Sequence, residues 1–551
     1  MIHACLLASP SPPVEVETVR QPLIDSNVRH TLSRLLILAA VSTAPLAAQS
    51  APLRIAYRVA MPDPSAHLYE VGLDVDGIRG DSLPLQLPVW SPGRYAKMDF
   101  AKNIQDFIVT DARGRPLPWT KTNGSRWVVI TRGTPGVRVR YRSFDNALSG
   151  TFSVLDTAHA NWNGASLFMY VEGHKPDPVT LSITPYDGWH ILNGDTRSVD
   201  QRDYRFENYD RLIDTPTEVA PAFMVDSFVV DGRRYRTMVH HNGAPPAGVR
   251  ERFVRDVEKI VRYENSVFSA PPLDQYTFLF HIGYAGGDGM EHLYSTQIID
   301  RRPWVDSMTV LAGIGTAAHE YFHVWNVKRV RPIVLGPFDY TREQYQPSLW
   351  VAEGWTQYYG MAALHRAGIT DRDEFYRSMA GLIRANLTAP GRKEVSARMA
   401  SFHAPFWDGA AQQQPTNGSQ TFFSYYTKGA GLALYLDLYM REKSGNHRSL
   451  DDVFNTLKHM VWDAPKASYY LQGRGYTERD VERAASQVAG ADMHPWFETY
   501  VGGTADLDYD ALLAGAGLRL VRDERWRIEE LPDATPAQRS VREGWISGHH
   551  Q

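Results

Sequence analysis

The segment HEYFHVWN, from His319 to Asn326, sets two imidazoles and a carboxylate within one short stretch. On a helix, residues four apart share a face, so His319 and His323 can offer both rings to one ion. Glu320 sits one position on, close enough to reach a water at that ion without being a ligand itself. This is the pattern of a zinc hydrolase, in which the metal acidifies a water and the glutamate takes its proton. In a chain with 19 histidines the motif also arises by chance, on a helix whose histidines are merely exposed or packed. A catalytic zinc takes a third protein ligand. Glu353, in SLWVAEGWTQYY, is flanked by Trp350 and Trp355, where a carboxylate is costly to bury unless paired or metal-bound. The competing reading is a half-exposed helical glutamate. Tyr426, in FFSYYTKGAGLALY, offers a phenol that can steady an oxyanion; taken alone it reads as a core or interface tyrosine.

In this order, GMEH, HEYFHVWN, LWVAEGWTQYY and YYTKG resemble the glycyl aminopeptidase family, family sixty-one of the metallopeptidases, in the gluzincin group. The related, larger alanyl-type aminopeptidases carry GAMEN where this chain has Gly289-Met290-Glu291-His292. The resemblance extends over about residues 52 to 515. It implies one zinc ion per chain, held by His319, His323 and Glu353, with Glu320 as general base and Tyr426 at the oxyanion. It also implies that Glu291 binds the free α-amine of a peptide substrate, with Gly287, Gly289 and Met290 beside it. A carboxylate in that place excludes blocked or internal peptides. A preference for small N-terminal residues such as Gly or Ala comes from the resemblance alone. The family commonly carries a PDZ domain after the catalytic domain; here the tail, residues 511–551, is too short for one.

The elements that must position these residues fall into two halves. From about Pro52 to Thr215, short runs such as IAYRVAMP, HLYEVGLDVDG, RWVVITRG, VRVRYRSF and PVTLSITP alternate with Gly, Pro, Asp and Asn. They predict a β-sandwich-like domain without a catalytic cluster. An extended pair follows, turning at Asp231-Gly232. Then Val249, Phe253, Val257, Ile260 and Val261 mark one helical face, and QYTFLFHIGY reads as a strand leading into the glycine-rich AGGDGMEH. Residues 309 to about 500 are mainly helical. The expected fold is multidomain α+β: an N-terminal β-rich domain over 52–225, then a thermolysin-like, mixed but mainly helical catalytic domain over 226–510. Tyr284, Phe322, Trp325 and Tyr425 are expected to crowd around the site. His240-His241 reads as structural, for want of a third ligand, Lys328-Arg329-Val330-Arg331 as a solvated turn or ion-paired loop, and His549-His550 as part of a frayed tail.

The chain has 551 residues, 43% of them hydrophobic, and a formal net charge of -4, which argues against general nucleic-acid binding. Residues 1–51 read as a leader with an internal signal peptide: Arg29, His30 and Arg34 precede LLILAAVSTAPLAA and a small-residue cleavage site. The Pro-rich, acidic stretch before it suggests a true start near Val28. Export to the periplasm or cell exterior follows, with no stable membrane span after cleavage. The single cysteine, Cys5, lies upstream of that signal, so no thiol serves the site. Two rival readings stay open at this stage. One is a thermolysin-type zinc endopeptidase, which has no use for an amine-binding Glu291. The other is a catalytically inactive peptide-binding protein. The natural substrate and the oligomeric state are not written in the sequence.

Overall fold

Apolar residues at alternate positions build the first half of the chain. In Arg54–Ala60 the inward residues are Ile55, Tyr57 and Val59, and in Gly136–Phe144 they are Val137, Val139 and Tyr141. The computed structural model of the protein describes residues 52–407 and 417–549, so the leader and its signal lie outside the described residues. Six strands form one sheet in the order Asp203–Phe206, Val179–Thr184, Arg54–Ala60, Leu68–Asp76, Gly136–Phe144, Ile104–Asp111. A four-stranded sheet places Ser82–Gln86 and Arg126–Ile130 at its centre, and another pairs Thr217–Ala220 with His190–Asn193 and Ala160–Trp162. The N-terminal region is thus three sheets. Among the described residues, no helix is long and apolar enough to cross a membrane.

A five-stranded sheet opens the second half: Met224–Val230, Arg233–His241, Gln275–Ile282, Ser295–Asp300 and, at its edge, Gly287–Glu291. Its first hairpin turns at Asp231 and Gly232, both with positive φ, as a two-residue turn requires. The Val249–Phe268 helix buries the predicted face, Val249, Phe253, Val257, Ile260 and Val261. The helices beyond include Ile314–Phe322, Gly354–Arg366, Tyr425–Ser444 and Leu450–Trp462.

Several expectations are corrected. Of the two readings of Lys328-Arg329-Val330-Arg331, the solvated turn fails and the ion-paired loop holds at Lys328: the stretch is buried, Lys328 pairs with Asp214 at 2.8 Å, Arg329 lies over the Tyr294 ring, and Arg331 lies over Tyr470. The tail is folded up to His549, and His550 lies outside the described residues. A hairpin of Leu518–Val521 and Arg527–Glu530 precedes the Pro536–Ser547 helix, which buries Trp545, and Arg441 donates to the His549 carbonyl at 2.9 Å. His240 has the partners that its sequence neighbours did not reveal: Glu218, His159 and His281 surround it. The aromatics also distribute differently. Phe322 stacks on Tyr359, Trp325 packs on Trp462, and Tyr284 covers the His159, His240 and His281 rings. Of the four, Tyr425 stands beside the site, against Tyr95 and Tyr426.

Candidate active site

Ile314–Phe322 carries His319, and His323 caps its C-terminal end. Gly313 starts this helix with φ 87°, its N–H donating to Asp300 at 2.9 Å, and a Cβ there would press on Phe280 and Ile282 of the sheet. The helix therefore stands on the central strand. His319 and His323 then share a face, with their Nε2 atoms 3.1 Å apart. Glu353 Oε2 lies 3.5 Å from His319 Nε2 and 3.3 Å from His323 Nε2. The three predicted ligands meet at one point, within 4.8 Å of one another. His319 keeps 14% of its side chain exposed, against 1% for His323 and 2% for Glu353, so the group opens on the His319 side.

Glu353 sits where one helix stops and the next begins, between Leu349–Ala352 and Gly354–Arg366. Two features hold that joint. Asn326, the last residue of HEYFHVWN, donates to the Val351 carbonyl at 2.9 Å, the Ala352 carbonyl at 3.2 Å and the Thr356 hydroxyl at 3.1 Å. Gly354 and Gly429 let two helices touch: a Cβ on Gly429 would stand 2.2 Å from the Trp350 carbonyl oxygen. His323 Nδ1, facing away from the group, lies 2.5 Å from the Asn326 carbonyl oxygen, which fixes the ring so that Nε2 faces inward. One asparagine thus ties the histidine pair to the segment that carries the glutamate.

Three carboxylates converge on His323. Glu291 and Glu320 stand with it within 4.8 Å, and Glu353 is beside it. Burial, reinforced by Glu291 and Glu353, pushes Glu320 well above the usual carboxylate range, and burial likewise raises Glu291. Burial works against a charged His323, yet Glu353 and Glu291 push it up to about 10. Glu320 Oε2 is buried with no hydrogen-bond partner. A divalent cation and its water answer both facts, the surplus negative charge and the orphaned oxygen. The two-imidazole, one-carboxylate donor set suits a first-row divalent ion and leaves a position for water.

A cleft of about 420 Å³ leads to this point, lined by Gly287, Gly289, His319, Glu320, Gln357 and Tyr426 among others. Gly289 has no room for a side chain, since a Cβ would stand 2.0 Å from Glu320 Oε1. Met290, expected beside the substrate, is instead wholly buried; a Cβ on Gly93 or Gly150 would collide with it. It positions the strand rather than lining the cleft. Tyr426 occupies the first turn of Tyr425–Ser444, capped by Ser424, with its ring 6.1 Å from that of His319.

Sequence reasoning assigned no chemistry to the N-terminal region, and here the structure differs most. Tyr95, in the loop SPGRY, donates its hydroxyl to Glu353 Oε1. Gly93, with φ 86°, lies against Glu291: a Cβ there would stand 2.6 Å from Glu291 Oε2. Arg94 pairs with Asp288 at the cleft wall. A Ser-Pro-Gly turn after a strand end was the signal available, but nothing in it names a partner almost 260 residues away.

Residues 56–221 match the Peptidase M61 N-terminal domain and residues 312–432 match the M61 glycyl aminopeptidase family. The chain belongs to the M61 glycyl aminopeptidase family. It is a hydrolytic peptidase, and His319, His323 and Glu353 are a fitting set for its metal. A crystal structure of an aminopeptidase N family protein from Idiomarina loihiensis is similar, at 27% identity and a TM-score of 0.77, covering 85% of this chain and 79% of that one. An M1 zinc metallopeptidase from Deinococcus radiodurans matches at 14% identity and a TM-score of 0.47, over 82% of this chain and 94% of that one. No curated protein matches.

Proposed function

We propose that the protein is a zinc aminopeptidase that removes N-terminal residues, preferentially Gly or Ala, from peptides with a free amine. One observation carries the choice of aminopeptidase. Glu291 stands within 4.8 Å of Glu320 and His323, on the edge strand whose Gly287 and Gly289 line the cleft, with Gly93 closing in behind it. A buried carboxylate at the end of a cleft is where an ammonium gains most and a blocked terminus loses most. The strand lies at the edge of its sheet, where an extended peptide can run beside it.

His319, His323 and Glu353 hold one zinc ion, which when bound supplies Lewis acidity toward water and the scissile carbonyl. Glu320 takes a proton at its unpartnered oxygen from the water as that water's oxygen adds to the scissile carbonyl, and returns it to the amine nitrogen as the C–N bond breaks. Tyr426 donates a hydrogen bond to the carbonyl oxygen as negative charge builds there. Glu291 holds the ammonium and sets the register. Tyr95 and Asn326 orient Glu353. Export through the leader at residues 1–51 is part of the same proposal, and N-terminal sequencing of the secreted protein tests it.

The decisive assay compares Gly- and Ala-arylamides with their N-acetylated forms, with and without a chelator. Chelator-sensitive cleavage of the free-amine forms alone is expected. Cleavage of blocked forms would instead identify a thermolysin-type endopeptidase, and zinc-loaded protein inert to both would leave a peptide-binding protein.

A further inference from the structure

Away from the cleft, four residues from four chain segments meet at a second point. His159 precedes the Ala160–Trp162 strand, Glu218 lies in Thr217–Ala220, His240 in Arg233–His241 and His281 in Gln275–Ile282. The last two are register partners on adjacent parallel strands, so their side chains leave the same face of the sheet. Glu218 Oε1 lies 2.9 Å from His159 Nδ1 and 2.8 Å from His240 Nδ1, and Oε2 lies 3.0 Å from His281 Nε2. All four donor atoms fall within 4.8 Å of one another.

We propose that His159, Glu218, His240 and His281 form a closed structural site for a borderline first-row divalent cation, zinc foremost. The donor count and type are those of a structural site: four protein ligands, three imidazoles and one carboxylate, with no open position. Ligand atoms about 2.0–2.1 Å from a tetrahedral zinc stand roughly 3.3 Å apart, and the contacts of the two Glu218 oxygens fall within about half an ångström of that. The catalytic donors show the same spacing of rings: His159–His240 centroids are 4.8 Å apart, as are those of His319–His323. Glu218 and His281 are fully buried, His159 nearly so, and Tyr284 covers all three rings. Three imidazoles aimed at one buried carboxylate crowd their polar edges together, which a cation at the centre resolves. The site fastens the Thr217–Ala220 sheet of the N-terminal region to the five-stranded sheet that carries Gly287–Glu291. It therefore braces the sheet whose edge strand is Gly287–Glu291 and takes no part in the chemistry.

Zinc content separates this from a metal-free, hydrogen-bonded carboxylate. Full-length protein is equilibrated with zinc, desalted and measured by mass spectrometry of the metal. The wild type is expected to hold about two equivalents, and the His319→Ala/His323→Ala variant, which dismantles the catalytic set, about one. Cobalt(II) in that double variant is expected to give the intense visible bands of a four-coordinate ion, and chelation to lower its Tm by several degrees. Adding His240→Asn is expected to remove the remaining equivalent. In the wild-type background, His240→Asn alone is expected to lower Tm and leave kcat near its original value. A double variant that holds no zinc, or holds cobalt only with the faint spectrum of a six-coordinate ion, or melts identically with and without chelator, overturns the proposal. If the His240→Asn proteins do not fold, the zinc content and Tm of the double variant decide it alone.

Discussion

Two histidine–carboxylate clusters in this molecule use the same donors to opposite ends. His319, His323 and Glu353 come from a helix, its C-terminal cap and a joint between helices, leave one side open to a cleft, and have a fourth group, Glu320, standing by with one oxygen unpartnered. His159, Glu218, His240 and His281 come from strands and a strand-edge loop, close on themselves, and have an aromatic lid. The difference lies in the vacancy. Three donors and a nearby base leave room for a water and a carbonyl, whereas four donors leave room for nothing. Exposure alone does not separate them, since His240 keeps 13% of its side chain exposed against 14% for His319; the difference is that His319 lines the cleft.

The comparison breaks first at Glu320. Glu320→Gln keeps the shape of the open cluster and all three donors but removes the base. Zinc content and Tm are expected to stay put, while kcat falls by roughly 10²–10⁴-fold. Steady-state kinetics beside metal analysis would show it, and a variant retaining full kcat would return the open cluster to the structural class. The next largest effect is at Glu291. Glu291→Ala is expected to cut kcat/KM for free-amine peptides by about 10²-fold, with little change in the affinity of a competitive inhibitor that lacks the amine. Equal losses on both would mean that Glu291 shapes the site without reading the amine.

How much of this was legible beforehand follows from how local each cluster is. The HExxH pair sits on one helical turn, and the order of GMEH, HEYFHVWN, LWVAEGWTQYY and YYTKG supplied its companions. Alternation in IAYRVAMP and VRVRYRSF, and the apolar face of Val249–Phe268, gave those elements. The closed cluster draws on residues 159, 218, 240 and 281, each in an ordinary strand context, so only the sheet pairing brings them together. Polar, short strands such as Trp119–Asn123 and Asp203–Phe206 carry too little apolar alternation to announce themselves. The buried Lys328, Arg329 and Arg331 looked solvated because charge runs usually are; their partners, Asp214, Tyr294 and Tyr470, are far off in sequence.

Tyr95 sharpens the comparison at smaller magnitude, because it is the N-terminal region's contribution to the open cluster. Tyr95→Phe removes one hydroxyl from Glu353 and leaves the ring packed against Tyr425. Outer partners of metal ligands are typically worth about 10–100-fold in metal affinity or activity. Zinc competition with a chromophoric chelator is expected to show a loss of that order, with Tm nearly unchanged. Unaltered affinity would make the loop a wall of the cleft and nothing more.

The smallest effect, and the one that tests whether the open cluster is held as rigidly as the closed one, is at Asn326. Its amide serves the Val351 and Ala352 carbonyls and the Thr356 hydroxyl, while its own carbonyl meets His323 Nδ1. Asn326→Ala removes the side-chain half of this arrangement and leaves buried carbonyls without that donor, a cost of about 1–3 kcal/mol. The backbone contact to His323 survives, so the histidine pair is expected to stay in place while Glu353 loosens. Denaturant unfolding is expected to show the stability loss, and zinc affinity to fall further than stability alone accounts for. If stability drops and affinity does not, Glu353 is held by the glycine-mediated helix contact at Gly354 and Gly429, and the asparagine serves only the fold. If affinity drops, then the helical cluster owes to one amide what the strand cluster obtains from the sheets themselves: a fixed place for each donor before any ion arrives.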